Sequence, residues 1–435
     1  MIQTSDIAGM NRLAIDATIG IIGVVEDLHR AVLNNVLPGT PANRLIVGAT
    51  ALTYDAVRTV TGLVGGCLDA MLAPIHAADM GRASPPAWEA TLAVINGIVG
   101  DYLAATENPL AIRMSLRREG RVLRLHRTAL AEDIPHAGQK VLVMVHGLCM
   151  NDLQWTRGGH NHGEALAKEL GWTTVYLHFN SGLHVSTNGR AFASLLEMLV
   201  DEWPVPVREL AIIGHSYGGL LARSAHHYGT SAGYGWTKKL RRLVFLGTPH
   251  HGPALERHGN SANLLLGLTS YSAPFARIVR IRSAGITDLR YGYVLDEDWE
   301  GRDRFHHAGD RRRPLPLPKR VRCFAIAADK GRIAGGAGAH PGDGLVNVDS
   351  ALGRHENAGL ALSFSDAAQW IAHGLGHWDL LSDAAVYARI HRWFVVSTKS
   401  RHCRCALSES ELESDGCNSR KTRRSSREQP SMRSV

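Results

Sequence analysis

Apolar side chains recur three or four positions apart over residues 7–105, and Val57, Val60, Val64, Leu68, Met71 and Ile75 form the clearest stripe. That period predicts helices, and Pro38, Pro41, Pro74, Pro85 and Pro86 divide the stretch into about three of them. Beyond Asn108-Pro109 the period changes to two. Ile112, Met114 and Leu116 alternate with polar residues, Glu119-Gly120 supplies a turn, and Val122, Leu123 and Leu125 resume, which predicts a β-hairpin. From there short apolar runs alternate with helical patterns. Strands are predicted at 140–145, 173–179, 209–213, 241–247, 321–327 and 360–364, and helices near 161–170, 189–201, 217–228 and 379–394. Such alternation implies an α/β fold, a mainly parallel sheet flanked by helices on both faces.

Three regions, and an insertion within the second, follow from pattern and composition. Residues 1–108 form an N-terminal helical region and 109–396 a catalytic α/β domain. Residues 251–320 make a lid-like insertion, too long for an ordinary connection, that runs into Arg311-Arg312-Arg313 and PLPLPK. The Arg run reads as a solvated loop. The Ser-rich, charged residues 397–435 lack periodicity and are expected to be disordered.

The chain has 435 residues, is 45% hydrophobic and carries a formal charge of +8. Acidic side chains outnumber Arg over residues 1–110, where there is no Lys, and basic ones outnumber acidic ones in the tail. The charge therefore offers no continuous basic surface, and a nucleic-acid partner is not expected. The six Cys are isolated or crowded into the tail, which is no disulfide framework and fits a reducing compartment. Neither a leader-like N-terminus nor an apolar run of ~18 residues is present, so the expectation is a cytoplasmic protein, with peripheral contact to a lipid surface as the variant.

Chemistry concentrates at Gly214-His215-Ser216-Tyr217-Gly218, between a predicted strand and a predicted helix. A G-x-S-x-G pentapeptide in that setting turns so sharply that only glycine fits on either side, leaving the serine hydroxyl exposed above the sheet. A serine needs a base to take its proton and an acid to orient that base. Asp343 sits in the glycine turn GDGLV, and His377 in GHWDLL, in the chain order Ser, Asp, His. Asp329, directly after the strand at 321–327, competes as the acid, and His373 as the base. The histidine pairs 226/227, 250/251 and 306/307 match no zinc spacing and are read as surface or hydrogen-bonding residues, with His250 and His251 supporting the turn at Thr248-Pro249.

Together HGL (146–148), GHSYGG (214–219), GTPHHG (247–252), GDGLV (342–346) and GHWDLL (376–381) resemble bacterial lipases and the related GPI inositol-deacylase-like hydrolases of the α/β-hydrolase fold, over about residues 110–395. The resemblance implies Ser216 as nucleophile, Asp343 as orienting acid and His377 as general base. It also implies an oxyanion hole from the backbone N–H groups of Leu148 and Tyr217. No cofactor or metal is required. With the apolar helices and the insertion, an apolar ester or lipid is the expected substrate. Two alternatives stand beside ester hydrolysis: an acyltransferase using the same triad, and a non-catalytic lipid-binding protein that retains the fold.

Overall fold

The computed structural model describes residues 4–36, 54–55, 58–59, 85–252, 282–304, 309–331 and 342–395. The chain divides into two compact units, Met1–Tyr387 and Ala388–Val435, and the sheet belongs to the first. Eight strands run β1 (Ser115–Arg118), β2 (Arg121–Val122), β3 (Lys140–Val145), β4 (Thr173–His178), β5 (Glu209–His215), β6 (Leu240–Leu246), β7 (Arg322–Asp329) and β8 (Gln369–His373). Their order in the sheet is β2-β1-β4-β3-β5-β6-β7-β8. The hairpin β1–β2 joins antiparallel to β4, and every pairing from β4 to β8 is parallel.

Strands β3 to β7 are buried along nearly their whole length, which is why they read as continuous apolar runs rather than alternating ones. The chain leaves β3 for β4 on one side and returns to β5 on the other, so the carboxyl ends of these strands meet at a topological switch point, where crevices form in such sheets.

Nine helices are described here in chain order. α1 (Thr4–Val36) and α2 (Pro86–Ala105) precede the sheet, and α2 opens with proline at its first position, where no amide partner is lost. α3 (Arg127–Asp133) was not foreseen from the pattern. α4 (His162–Leu170) is capped by Asn161, whose side-chain oxygen accepts from the Gly163 and Glu164 amides, and stops at Gly171, left-handed at φ 67°. α5 (Val185–Glu202) and α6 (Tyr217–Ser231) follow β4 and β5. α7 (Ala284–Leu289), the single turn α8 (Val348–Ala351) and a helix at 384–395, α9, complete the series.

One hydrophobic core takes side chains from the sheet, from α5 and α6, from α2 (Val94, Ile98) and from α7 (Ile286, Leu289). The clearest helical stripe of the sequence, 57–75, lies almost wholly outside the described residues, as do 253–281 of the insertion and the tail from 396.

Three expectations need correction. The last strand is 369–373, not 360–364: LALSF is an unpaired connection in which Leu362 alone is buried, packed on Gly353, and its apolar run does not mark a strand. The final helix starts at 384, after a separate 3-10 turn at Asp379–Leu381. Within Arg311-Arg312-Arg313, the Arg312 side chain is only 6% exposed. It pairs with Asp310 and donates to the carbonyls of His250 and Tyr291, so it fastens the insertion instead of standing in solvent.

Candidate functional site

Ser216 sits between β5 and α6 with φ 53° and ψ −123°, a backbone region that side-chain-bearing residues rarely occupy and that costs on the order of 1–3 kcal/mol. The surroundings hold it there. Its amide donates to the Leu246 carbonyl of the neighbouring strand, and its carbonyl accepts from Gly219. Both flanking glycines are obligatory. A methyl group on Gly218 would lie 2.3 Å from the Val145 carbonyl oxygen, and one on Gly214 would lie 2.6 Å from the Gly219 nitrogen.

The loop after β3 approaches the same point. A methyl group on Gly147 would meet the Ser216 Cβ at 3.2 Å, so the HGL segment lies directly against the elbow. Leu148 follows in a turn with Cys149, which has φ 58° and whose amide donates to Ser181 Oγ at 3.0 Å. Tyr217 is the first residue of α6, and its amide is among those a helix start leaves without an intrahelical acceptor. Its buried hydroxyl donates to the Leu183 carbonyl.

Asp343 and His377 are brought together. Asp343 Oδ2 stands 2.6 Å from His377 Nδ1, with the two side chains 1% and 3% exposed. The other carboxylate oxygen, Oδ1, accepts from the amides of Leu345 and Val346, and Gly344 takes φ 97° to make that turn. The His377 amide donates to the Asp343 carbonyl, which links the two loops a second time.

The link from this pair to the elbow runs through His215. Its Nε2 is 3.1 Å from the His377 carbonyl, and the rings are 4.6 Å apart. Burial, and then the neighbouring His377, push the His215 imidazole well below its ordinary value, so it stays neutral and donates. Position 247 also faces the pair: a methyl group on Gly247 would be 3.1 Å from His377 Nδ1 and 3.2 Å from Asp343 Oδ2.

The rivals Asp329 and His373 are matched in register at the ends of β7 and β8 and pair with each other at 3.4 Å, with the His373 side chain 74% exposed. His250 is fully buried, edge-on to Phe245, with its amide donating to Thr248. Among the described residues no three His, Cys, Asp or Glu side chains gather into a group that could hold a metal ion. Sequence reasoning missed His215 as a brace, the Cys149–Ser181 bond and the contact of α2 with this loop. Nothing in single-sequence spacing marks residues that meet only through tertiary contact.

The sheet order, the strained serine between strand and helix, and the loops after β3, β7 and β8 converging on it define the α/β-hydrolase fold. Residues 185–311, which include the elbow, match the family model of the PGAP1-like alpha/beta domain. Among solved structures the chain is similar to the mature form of Bacillus licheniformis lipase BlEst2, at 19% identity over 58% of this chain and 91% of that one, with a TM-score of 0.38. It is similar also to Pyrococcus furiosus esterase Pf2001 (13% identity, 59% of this chain, 80% of that one, TM-score 0.36) and to Staphylococcus hyicus lipase (12%, 63%, 97%, 0.35). No curated protein matches the chain.

Proposed function

We propose that this chain is a serine hydrolase that cleaves carboxylic esters of apolar acids through an acyl-enzyme on Ser216. The observation that carries the reading is the strained Ser216, whose chain neighbour His215 bonds the His377 carbonyl, together with a buried His377–Asp343 pair whose far oxygen is already saturated by two amides. In this reading Ser216 Oγ attacks the ester carbonyl while His377 Nε2 takes its proton. Asp343 holds Nδ1–H and stabilises the imidazolium. The amides of Leu148 and Tyr217 donate to the developing oxyanion, as fixed dipoles that need no reorganisation. Collapse expels the alcohol with the proton from His377, and a water activated by the same nitrogen then releases the acid and frees Ser216. The apolar character of the substrate rests on the long insertion and the N-terminal helices. Among the described residues no helix is long and apolar enough to cross a membrane.

The test is hydrolysis of nitrophenyl esters of increasing chain length together with labelling by a fluorophosphonate. Wild type should label and favour longer acyl chains, and Ser216→Ala should lose labelling and on the order of 10⁶ in kcat without unfolding. Undiminished labelling of the variant would refute Ser216. A preference for acetyl esters with no gain at micelles would refute the apolar substrate.

A further inference from the structure

Helix α2 passes over the loops that carry the site, and it does so on glycines. Gly97 packs on Cys149: a methyl group there would lie 2.2 Å from Cys149 Sγ and 3.0 Å from its Cα and nitrogen. One turn on, Gly100 faces Asn180, and Gly182 approaches the Asn96 carbonyl so closely that a methyl group would sit at 2.1 Å. Between the two helix glycines the backbone leaves helical geometry at Val99 (φ −130°, ψ 18°). Partners from outside the helix accompany this kink: Ser283 Oγ donates to the Gly97 carbonyl at 2.6 Å and the Asn180 side chain to the Gly100 carbonyl at 2.8 Å. The same short loop returns to the site, because Ser181 Oγ accepts from the Cys149 amide.

Cys149 is therefore gripped from two sides, by Gly97 on its side chain and by Ser181 on its amide, in a left-handed conformation that a non-glycine residue keeps only when its surroundings impose it. Leu148 is its immediate neighbour in the same turn. We infer that α2 is a positioning element for acyl transfer: Gly97, with Ser181, seats the Leu148–Cys149 turn and so aims the Leu148 amide at the oxyanion. This rests on the ester-hydrolase reading above and extends it to a helix outside the resembling region. An aimed amide acts where charge develops, so its displacement slows the chemical step more than it weakens binding.

The test compares the full-length wild type, Gly97→Ala, the double variant Gly97→Ala/Cys149→Gly, and Ser181→Ala, each by kcat and KM on a nitrophenyl ester and by fluorophosphonate labelling rate. The added methyl group should lower kcat roughly 10- to 100-fold with KM held within about threefold, since losing an oxyanion donor outright costs roughly 10²–10³. The double variant removes the sulfur at 2.2 Å, leaving the backbone contacts at 3.0 Å, and places glycine at the positive φ, so it should recover part of that loss. Ser181→Ala, which leaves the packing intact, should lower kcat roughly 3- to 10-fold. An active wild type whose Gly97→Ala form has unchanged kcat, or whose loss is in no part recovered by the double variant, overturns the inference alone. If Gly97→Ala fails to fold, normal kcat in Ser181→Ala overturns it equally. A wild type that neither hydrolyses nor labels brings down the hydrolase reading, and this inference with it.

Discussion

At the scale of single residues, the two oxygens of Asp343 have different tasks. Oδ1 is bound by the amides of Leu345 and Val346, and Oδ2 faces His377 Nδ1. Asp343→Asn can satisfy both backbone donors only by keeping its carbonyl oxygen on them, which turns its NH₂ toward His377. Nδ1 must then accept, Nε2 carries the proton, and the imidazole can no longer take one from Ser216. The expected result is a loss of about 10⁴ in kcat, the size found when a triad carboxylate is changed to its amide. The melting temperature should shift little because every hydrogen bond keeps a partner. Near-normal turnover on a nitrophenyl ester would show that Asp343 does not orient the base. Chain order and the glycine turn made Asp343 and His377 candidates beside Asp329 and His373, and the resemblance favoured the pair that meets. That Oδ1 would be saturated was not legible, because it depends on how residues 342–347 close on themselves.

At the scale of elements, the elbow was legible because its constraints are local: strand, pentapeptide and helix are contiguous in sequence. The glycines act through a neighbour that sequence does not name. Gly218 abuts the carbonyls of Val145 and His146, at 2.3 and 2.6 Å from an added methyl group, and those atoms belong to β3 and the loop that leads to Leu148. Backbone cannot rotate away as a side chain can. Gly218→Ala should therefore separate β3 from α6, cost on the order of 1–3 kcal/mol as overpacking does, and abolish esterase activity. Denaturant titration alongside turnover checks it, and a stable, active variant would contradict the close approach. The last strand was misread for an equally physical reason. Residues 360–364 are mostly apolar, whereas β8 is an edge strand that includes Gln369 and His373; each segment buries a single residue, so hydrophobicity favoured the wrong one. A short apolar run does not by itself establish strand pairing.

At the scale of the whole molecule, the pattern of parallel strands followed from alternating apolar runs. The way α2 enters the common core, through Val94 and Ile98, did not, since its apolar face would suit any partner. Buried histidines are another collective property that appears only in three dimensions. His146, His162, His215 and His250 are all fully buried. Burial lowers the first to about 3 and the second to about 4, and holds the other two well below 6.5. Above pH 7.5 these groups are neutral whether the chain is folded or not, so they contribute no slope. Below 6.5 the unfolded chain binds protons that the folded chain refuses, and stability falls by about 1.4 kcal/mol per pH unit for each histidine until its folded value is reached. Asp288, raised by burial, has the opposite sign: its folded form binds a proton more readily, so it offsets a single proton near the carboxylate range. His251, lowered to about 3, and His226 and Asp152, also lowered, act in the same direction as the four histidines, so a steep net decline remains. The melting temperature should be flat from pH 8.5 to 7.5 and drop sharply between 6.5 and 4.5. His162→Gln can retain a donor toward the Leu380 carbonyl and should reduce that slope by about one proton. A melting temperature that stays constant from pH 7.5 to 5 would mean that these histidines are not held neutral by the fold.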